Sequence, residues 1–265
     1  MQPQALRVSL VQGATRWHDP PGNREYYGSL IAPLAGRTDL VVLPETFTSG
    51  FSNEAISNAE TMDGPTIAWL REQARGLDAA VTGSVQLRVG QGVFNRLLFV
   101  LPNGDVRHYD KRHLFRYADE HKRYAAGSDR LMVEWKGWKI CPLVCYDLRF
   151  PVFSRNRHDA QAGFDYDLVL FVANWPSARA HAWRTLLRAR AIENLSYCIG
   201  VNRVGIDGNQ LPYNGDSAVL DYLGQTMADL GAQEQVVTVA LDPGALAAFR
   251  EKFPAWMDSD AFQLT

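Results

Sequence analysis

The sequence predicts a layered α/β or α+β domain, a mixed β-sheet covered by helices. Three observations lead there. Short apolar runs bounded by turn residues recur along the whole chain. Helical patterns fall between them, and several neighbouring runs lie close enough to pair as hairpins. A chain of 265 residues, 46% hydrophobic and 21% charged, can bury a large core and lies far from the composition of disorder.

Taken in order, the apolar runs predict strands over 6–11, 40–43, 80–85, 96–101, 106–109, 139–144, 168–172, 197–201, 217–220 and 236–241. Asn103-Gly104 lies between the fourth and fifth and reads as a hairpin turn. Helical patterns cover 23–35, 65–75, 180–194 and 243–252. The third sets Trp183, Leu186, Leu187 and Leu195 along one side, with Arg184 and Arg188 on a wetter one. No shift in composition marks a linker, and no repeat or low-complexity tract interrupts the pattern. The chain therefore reads as one domain, 1–265, ending in a short tail over 253–265.

Composition and motifs remove several functions. Lys plus Arg number 27 against 29 Asp plus Glu, a net charge of -2. That balance lacks the basic excess nucleic-acid binding needs. The longest apolar run, 168–173, is far shorter than the about 20 residues that cross a membrane. The start, Met1-Gln2-Pro3-Gln4-Ala5-Leu6-Arg7, has no basic region followed by an apolar one. Three cysteines, Cys141, Cys145 and Cys198, make no disulfide framework. Cys141 and Cys145 share one strand, where four residues separate Cα atoms by roughly 13 Å, beyond a disulfide's reach. A reduced, cytoplasmic protein is expected. Gly-x-Gly-x-x-Gly, a phosphate loop, a Gly-x-Ser-x-Gly elbow, His-Glu-x-x-His and Cys-x-x-Cys are all missing. The six histidines are scattered and read as surface or hydrogen-bonding residues.

Four residues are candidates for chemistry. Cys145 follows the strand Lys139-Ile140-Cys141-Pro142-Leu143-Val144 and precedes Tyr146-Asp147-Leu148-Arg149-Phe150-Pro151. A nucleophile at a strand end that turns into a helix meets backbone N–H groups able to stabilise a thiolate or an oxyanion; a small buried hydrophobe is the other reading. Cys141 and Cys198 lie inside apolar strands and take that second role. Glu45 ends the run Leu40-Val41-Val42-Leu43-Pro44, where desolvation suits a carboxylate to act as general base; a turn or capping carboxylate would look the same. Lys111, in Tyr109-Asp110-Lys111-Arg112-His113-Leu114-Phe115, can hold a cation against a thiolate or belong to a solvated charge cluster. Glu120 stands among Asp119, His121, Lys122 and Arg123 and by itself reads as surface.

Together these segments resemble the nitrilase, or carbon–nitrogen hydrolase, superfamily. It places a Glu after a buried strand, a Lys in a Lys-x-His-Leu-Phe-like loop and a Cys after a later strand, in this chain order. The resemblance runs from Val8-Ser9-Leu10-Val11-Gln12 to the last strand. It includes Glu120 with Gly127, Asn174-Trp175-Pro176, Arg188-Ala189-Arg190-Ala191-Ile192-Glu193-Asn194 and Val201-Asn202-Arg203-Val204-Gly205. Cys145-Tyr146-Asp147-Leu148-Arg149-Phe150-Pro151 is similar to the amidase branch, and Asn174–179 with the Glu251-Lys252-Phe253-Pro254-Ala255-Trp256 tail is similar to bacterial omega-amidases. Cys141-Pro142 departs from the small or aliphatic pair more usual there.

The resemblance implies a four-layer α-β-β-α sandwich and a homodimer or higher homo-oligomer joined through helices and the tail; Phe253, Trp256 and Phe262 fit such a contact, and a tail folded back on its own domain is the alternative reading of them. It implies an enzyme that releases ammonia from 2-oxoglutaramate or 2-oxosuccinamate through a thioester, with no metal or organic cofactor. Glu45 would be the base, Cys145 the nucleophile, Lys111 and the Tyr146 N–H the oxyanion donors, and Glu120 the orienting carboxylate. Arg149 and Asn174 are expected to hold the substrate, with Phe47 and Trp175 as apolar walls; a structural salt bridge is the alternative for Arg149. Deaminated glutathione or a carbamoyl amide is the alternative substrate, and a non-catalytic interaction module the alternative class.

Overall fold

The computed structural model describes residues 4–260, 262 and 263. The N-terminal half runs β1 (Leu6–Gln12), α1 (Pro20–Ile31), β2 (Leu40–Val42), α2 (Pro65–Leu77), β3 (Ala80–Val89), β4 (Gly92–Val100) and β5 (Val106–Asp110). The C-terminal half follows with β6 (Val133–Trp135), β7 (Trp138–Val144), α3 (Pro151–Ser154), the small ribbon β8 (His158–Asp159) and β9 (Gly163–Phe164), then β10 (Leu168–Ala173), α4 (Ala180–Asn194) and β11 (Tyr197–Asn202). The chain closes with β12 (Val204–Ile206), β13 (Pro212–Asn214), β14 (Ala218–Leu220), β15 (Thr226–Asp229), β16 (Gln235–Leu241) and α5 (Pro243–Lys252).

Two six-stranded sheets result, ordered β16-β1-β2-β3-β4-β5 and β15-β14-β11-β10-β7-β6. Each is parallel in the middle and antiparallel at its margins: β1, β2 and β3 run together, as do β7, β10 and β11. Alternation along the strands assigns the faces. Leu40 and Val42 join the core between the sheets, with Val144, Val172 and Ile199, whereas Val41 and Leu43 pack with Tyr27, Ile31, Ile67 and Leu70 of α1 and α2. On the far side Trp183 and Leu187 of α4 cover the second sheet. The order of layers is helix, sheet, sheet, helix, the sandwich expected. Strands covered on both faces need unbroken apolar sequence, which is why 40–43 and 168–173 carry no alternating polar residues.

The predicted elements all form, with margins shifted by a few residues. The first helix begins at Pro20, N-capped by Asp19, whose side chain accepts from the Gly22 N–H. Asn103-Gly104 lies in the β4–β5 hairpin, with Gly104 at φ +90°. The short strands β6, β8, β9, β12, β13 and β15 lacked an apolar run long enough to be read. Arg190 and Asn194 lie on the buried side of α4, where Arg190 donates to the Leu148 carbonyl at 2.6 Å. Pro142 is accommodated because β6 pairs with β7 only from Trp138 to Ile140, so the ladder on that side has ended before the proline is reached. All three cysteines are free thiols. Among the described residues no helix is long and apolar enough to cross a membrane.

Candidate active site

The parallel strands set the site at their carboxyl ends, the usual place for ligands in such sheets. Glu45 comes just after β2, Lys111 directly after β5, Cys145 directly after β7 and Asn174 directly after β10. The two sheets meet there through hydrogen bonds rather than apolar contact. The Asn174 main-chain N–H donates to Glu45 Oε2 at 2.7 Å, and Asn174 Nδ2 donates to the Glu45 carbonyl at 2.6 Å.

Glu45, Lys111 and Glu120 form one buried ionic cluster, each about 1% exposed or less. Lys111 Nζ donates to Glu45 Oε1 at 3.0 Å and to Glu120 Oε1 and Oε2 at 3.1 and 3.0 Å. Glu120, read as a surface residue from its charged neighbours, is held inside by this lysine and by the Phe115 N–H, which donates at 2.6 Å. Burial alone would lower the Lys111 pKa, but Glu120 and then Glu45 outweigh it and hold the ammonium well above its ordinary range. Burial raises the Glu120 pKa, with Lys111 opposing and Glu45 reinforcing the shift. Two carboxylates share one cation, so the ionised cluster carries a net charge of about -1.

Cys145 opens a tight turn, residues Cys145–Arg149, with φ +45°, a left-handed conformation uncommon outside glycine. Asp147 holds that turn: its Oδ2 accepts from the Val144 N–H at 3.0 Å and from the Tyr109 hydroxyl at 2.8 Å. Its Oδ1 accepts from the His113 N–H at 3.1 Å and lies 2.8 Å from His113 Nδ1. The turn bearing the thiol is therefore tied to the loop bearing Lys111. The thiol adjoins the Glu45 carboxylate, whose charge acts on it, and Sγ lies 3.9 Å from the Asn174 carbonyl oxygen. Burial first, then Glu45, push the thiol pKa well up, with Lys111 only partly opposing. A resting thiolate beside Lys111 is thus not what the site stabilises; passing the proton to Glu45 leaves the cluster's charge unchanged and is the cheaper route to a nucleophile.

A cavity of about 340 Å³ opens over these groups. Tyr146, Arg149, Asn174 and Trp175 line it, as anticipated, with Phe115, Phe51, Arg179 and Tyr213. Phe47 does not. It is fully buried behind Glu45, edge-on to Tyr27 at 5.8 Å and near Trp69, because the turn over 45–49 directs it into the core under α1 and α2; Phe51 supplies the wall instead. Arg149 lies over Trp175 at 5.0 Å and Arg179 over Phe115 at 5.2 Å. Among the described residues neither guanidinium has a carboxylate within salt-bridge distance, so the structural salt bridge considered for Arg149 is not formed. Arg179, Tyr213 and Asn95 escaped the sequence reading. Arg179 was visible only as part of Asn174–179, while nothing in an isolated strand residue such as Asn95 signals a site. No group of three or more His, Cys, Asp or Glu side chains among the described residues is placed to hold a metal ion.

A thiol, two carboxylates and a buried lysine gathered at the carboxyl ends of facing sheets define the class. The chain belongs to the carbon-nitrogen hydrolase family, whose model matches residues 7–251. It is 48% identical over 260 residues to "Omega-amidase YafV" of Escherichia coli K12, covering 98% of each chain. It is 31% identical over 255 residues to "2-oxoglutaramate amidase" of Bacillus subtilis, covering 95% of this chain and 96% of the other. A CN-hydrolase superfamily protein of Xanthomonas campestris, solved with an arsenic adduct in its active site, superposes with a TM-score of 0.97 at 66% identity, covering 99% and 100% of the two chains. The protein is a hydrolase acting on the carbon–nitrogen bonds of amides.

Proposed function

We propose that this hydrolase is a cysteine-dependent omega-amidase that releases ammonia from short 2-oxo acid amides, 2-oxoglutaramate and 2-oxosuccinamate, through a thioester. One observation carries the reading: the Cys145–Glu45 pair lies in a mostly apolar cavity whose walls hold two guanidinium groups, Arg149 and Arg179, with no carboxylate partner among the described residues. An uncompensated guanidinium suits bidentate recognition of a substrate carboxylate. The volume, near the lower end of the roughly 300–1,000 Å³ range of ligand pockets, suits a short acid better than a peptide-like amide. The names of the two relatives point the same way.

In this mechanism Glu45 takes the Cys145 proton as sulfur attacks the terminal amide carbon. The oxyanion is held by the Tyr146 N–H and by Lys111, whose donors all meet carboxylates at rest, so one Glu120 contact must yield to it. One such donor is worth about 3 kcal/mol in the transition state. Glu45 then protonates the nitrogen, the C–N bond breaks and ammonia leaves. Water, deprotonated by Glu45, cleaves the thioester to the acid and the free thiol. Glu120 keeps Lys111 charged and oriented. We place the reaction in the cytoplasm and assign the enzyme a homo-oligomeric, minimally dimeric, assembly.

The test is ammonia release from 2-oxoglutaramate, with deaminated glutathione as competitor and Cys145→Ala as control. Turnover of the oxo-amide that vanishes in the variant is expected. A preference for deaminated glutathione would overturn the substrate assignment; activity surviving in Cys145→Ala would overturn the nucleophile.

A further inference from the structure

Asn95 is a buried residue of β4, 1% exposed. Its side chain touches both carboxylates of the ionic cluster: Nδ2 donates to Glu45 Oε1 at 2.8 Å and lies 3.4 Å from Glu120 Oε1. Its main-chain carbonyl accepts from the Lys111 N–H at 3.0 Å. One strand position thus contacts three of the four residues assigned to the chemistry.

The direction of that amide is set by a closed circuit. The Thr46 N–H donates to Ser84 Oγ at 2.9 Å. With Ser84 Oγ accepting there, its proton goes to Asn95 Oδ1, 2.8 Å away. An amide whose oxygen is occupied in this way must present its NH2 to Glu45, and Glu45 precedes Thr46 in the chain, which closes the ring.

The consequence for Glu45 follows from counting lone pairs. A carboxylate oxygen accepts about two hydrogen bonds. Oε1 has both, from Lys111 Nζ and Asn95 Nδ2. Oε2 has one, from the Asn174 N–H. The open site on Glu45 is on Oε2.

We propose that Asn95 is a positioning residue that fixes the Glu45 carboxylate so that Oε2 exchanges protons with Cys145, the departing nitrogen and the hydrolytic water. Without the amide, Oε1 regains an open site, the carboxylate can rotate about its Cγ–Cδ bond, and the base no longer has one aim. This rests on Glu45 being the general base, and the experiment separates the two ideas.

Steady-state kinetics and thermal midpoints would be measured for Asn95→Leu, Asn95→Asp, Ser84→Ala, the Asn95→Leu/Ser84→Ala pair and Glu45→Gln. Asn95→Leu removes the donor, and Asn95→Asp keeps the shape while replacing it with an acceptor. Each is expected to lower kcat about 10- to 100-fold, the scale of a slightly misplaced catalytic group, with KM within about twofold of wild type. Ser84→Ala, which frees the amide to flip, is expected to lower kcat by a smaller factor and to add little to Asn95→Leu. A residue that merely fills the strand would change the thermal midpoint, leave kcat alone, and give additive effects in the pair. Wild-type kcat in folded Asn95→Asp and Ser84→Ala overturns the proposal even if Asn95→Leu does not fold. An active Glu45→Gln overturns the general-base reading itself.

Discussion

Lys111 is the residue on which the site's electrostatics turn, since its single charge is shared by two carboxylates out of reach of water. Removing one member of a buried ionic group leaves the others uncompensated, at a cost of about 3–5 kcal/mol. Lys111→Met is therefore expected to lose about that much stability in urea titrations, together with its activity. A change below about 1 kcal/mol would mean the cluster is far better solvated than its burial implies. Cys145 stands out from the other thiols in a different way. It alone is partly exposed, while Cys141 and Cys198 are fully buried. Iodoacetamide should label Cys145 first, and at a rate that climbs with pH because its thiol resists ionisation.

At the scale of elements, the central parallel strands do two jobs. Their carboxyl ends deliver the reactive groups, and their bodies bury thiols that resist ionisation. Burial pushes Cys141 of β7 up to about 12 and raises Cys198 of β11 as well. A thiol harder to ionise folded than unfolded keeps its proton in the native state. Above about pH 9 the unfolded chain releases protons that the folded one retains, so stability falls as pH rises. Each such thiol contributes a slope of about 1.4 kcal/mol per pH unit between its unfolded and folded pKa values. Denaturant midpoints at pH 8 and 10.5 check this: a clear fall is expected, and Cys141→Ala should make it shallower. Equal slopes in the two proteins would count against burial of Cys141 as the cause. Elements also explain what was legible. The long apolar runs read correctly because a strand covered on both faces permits nothing else, whereas β12 and β13, exposed on one side and three residues each, leave no pattern to read.

For the whole molecule, the tail divides between two roles. Trp256 stacks on His158 at 3.7 Å and meets Phe164 edge-on, so it folds back on its own domain. Phe253 is 55% exposed and Phe262 37%, apolar surface of the kind an oligomer contact covers; Ala261, Leu264 and Thr265 of the tail lie outside the described residues. If the proposed assembly uses this face, Phe253→Asp should shift the mass in light scattering toward the monomer while leaving the fold intact by circular dichroism. An unchanged oligomer would place the contact elsewhere.

The order of residues by itself determined the layering, the positions of the central strands and four helices, and the identity of Glu45, Lys111 and Cys145 as candidates, because Glu45 and Cys145 each follow an apolar strand whose burial is written in consecutive residues and Lys111 stands just past the strand of a hairpin. Glu120 could be singled out only through family resemblance, since its neighbours are all charged. The tertiary structure alone decided that Glu120 is buried, that Phe47 faces the helices while Phe51 lines the cavity, that Arg149 and Arg179 stand without carboxylates among the described residues, and that Asn95 ties Glu45 to Ser84 and Glu120. Those facts depend on which groups from distant strands come within about 3 Å of one another. Local sequence records a residue's own tendency to be buried or turned; the partner that makes burial of a charge tolerable comes from elsewhere in the chain and is fixed only when the two sheets close.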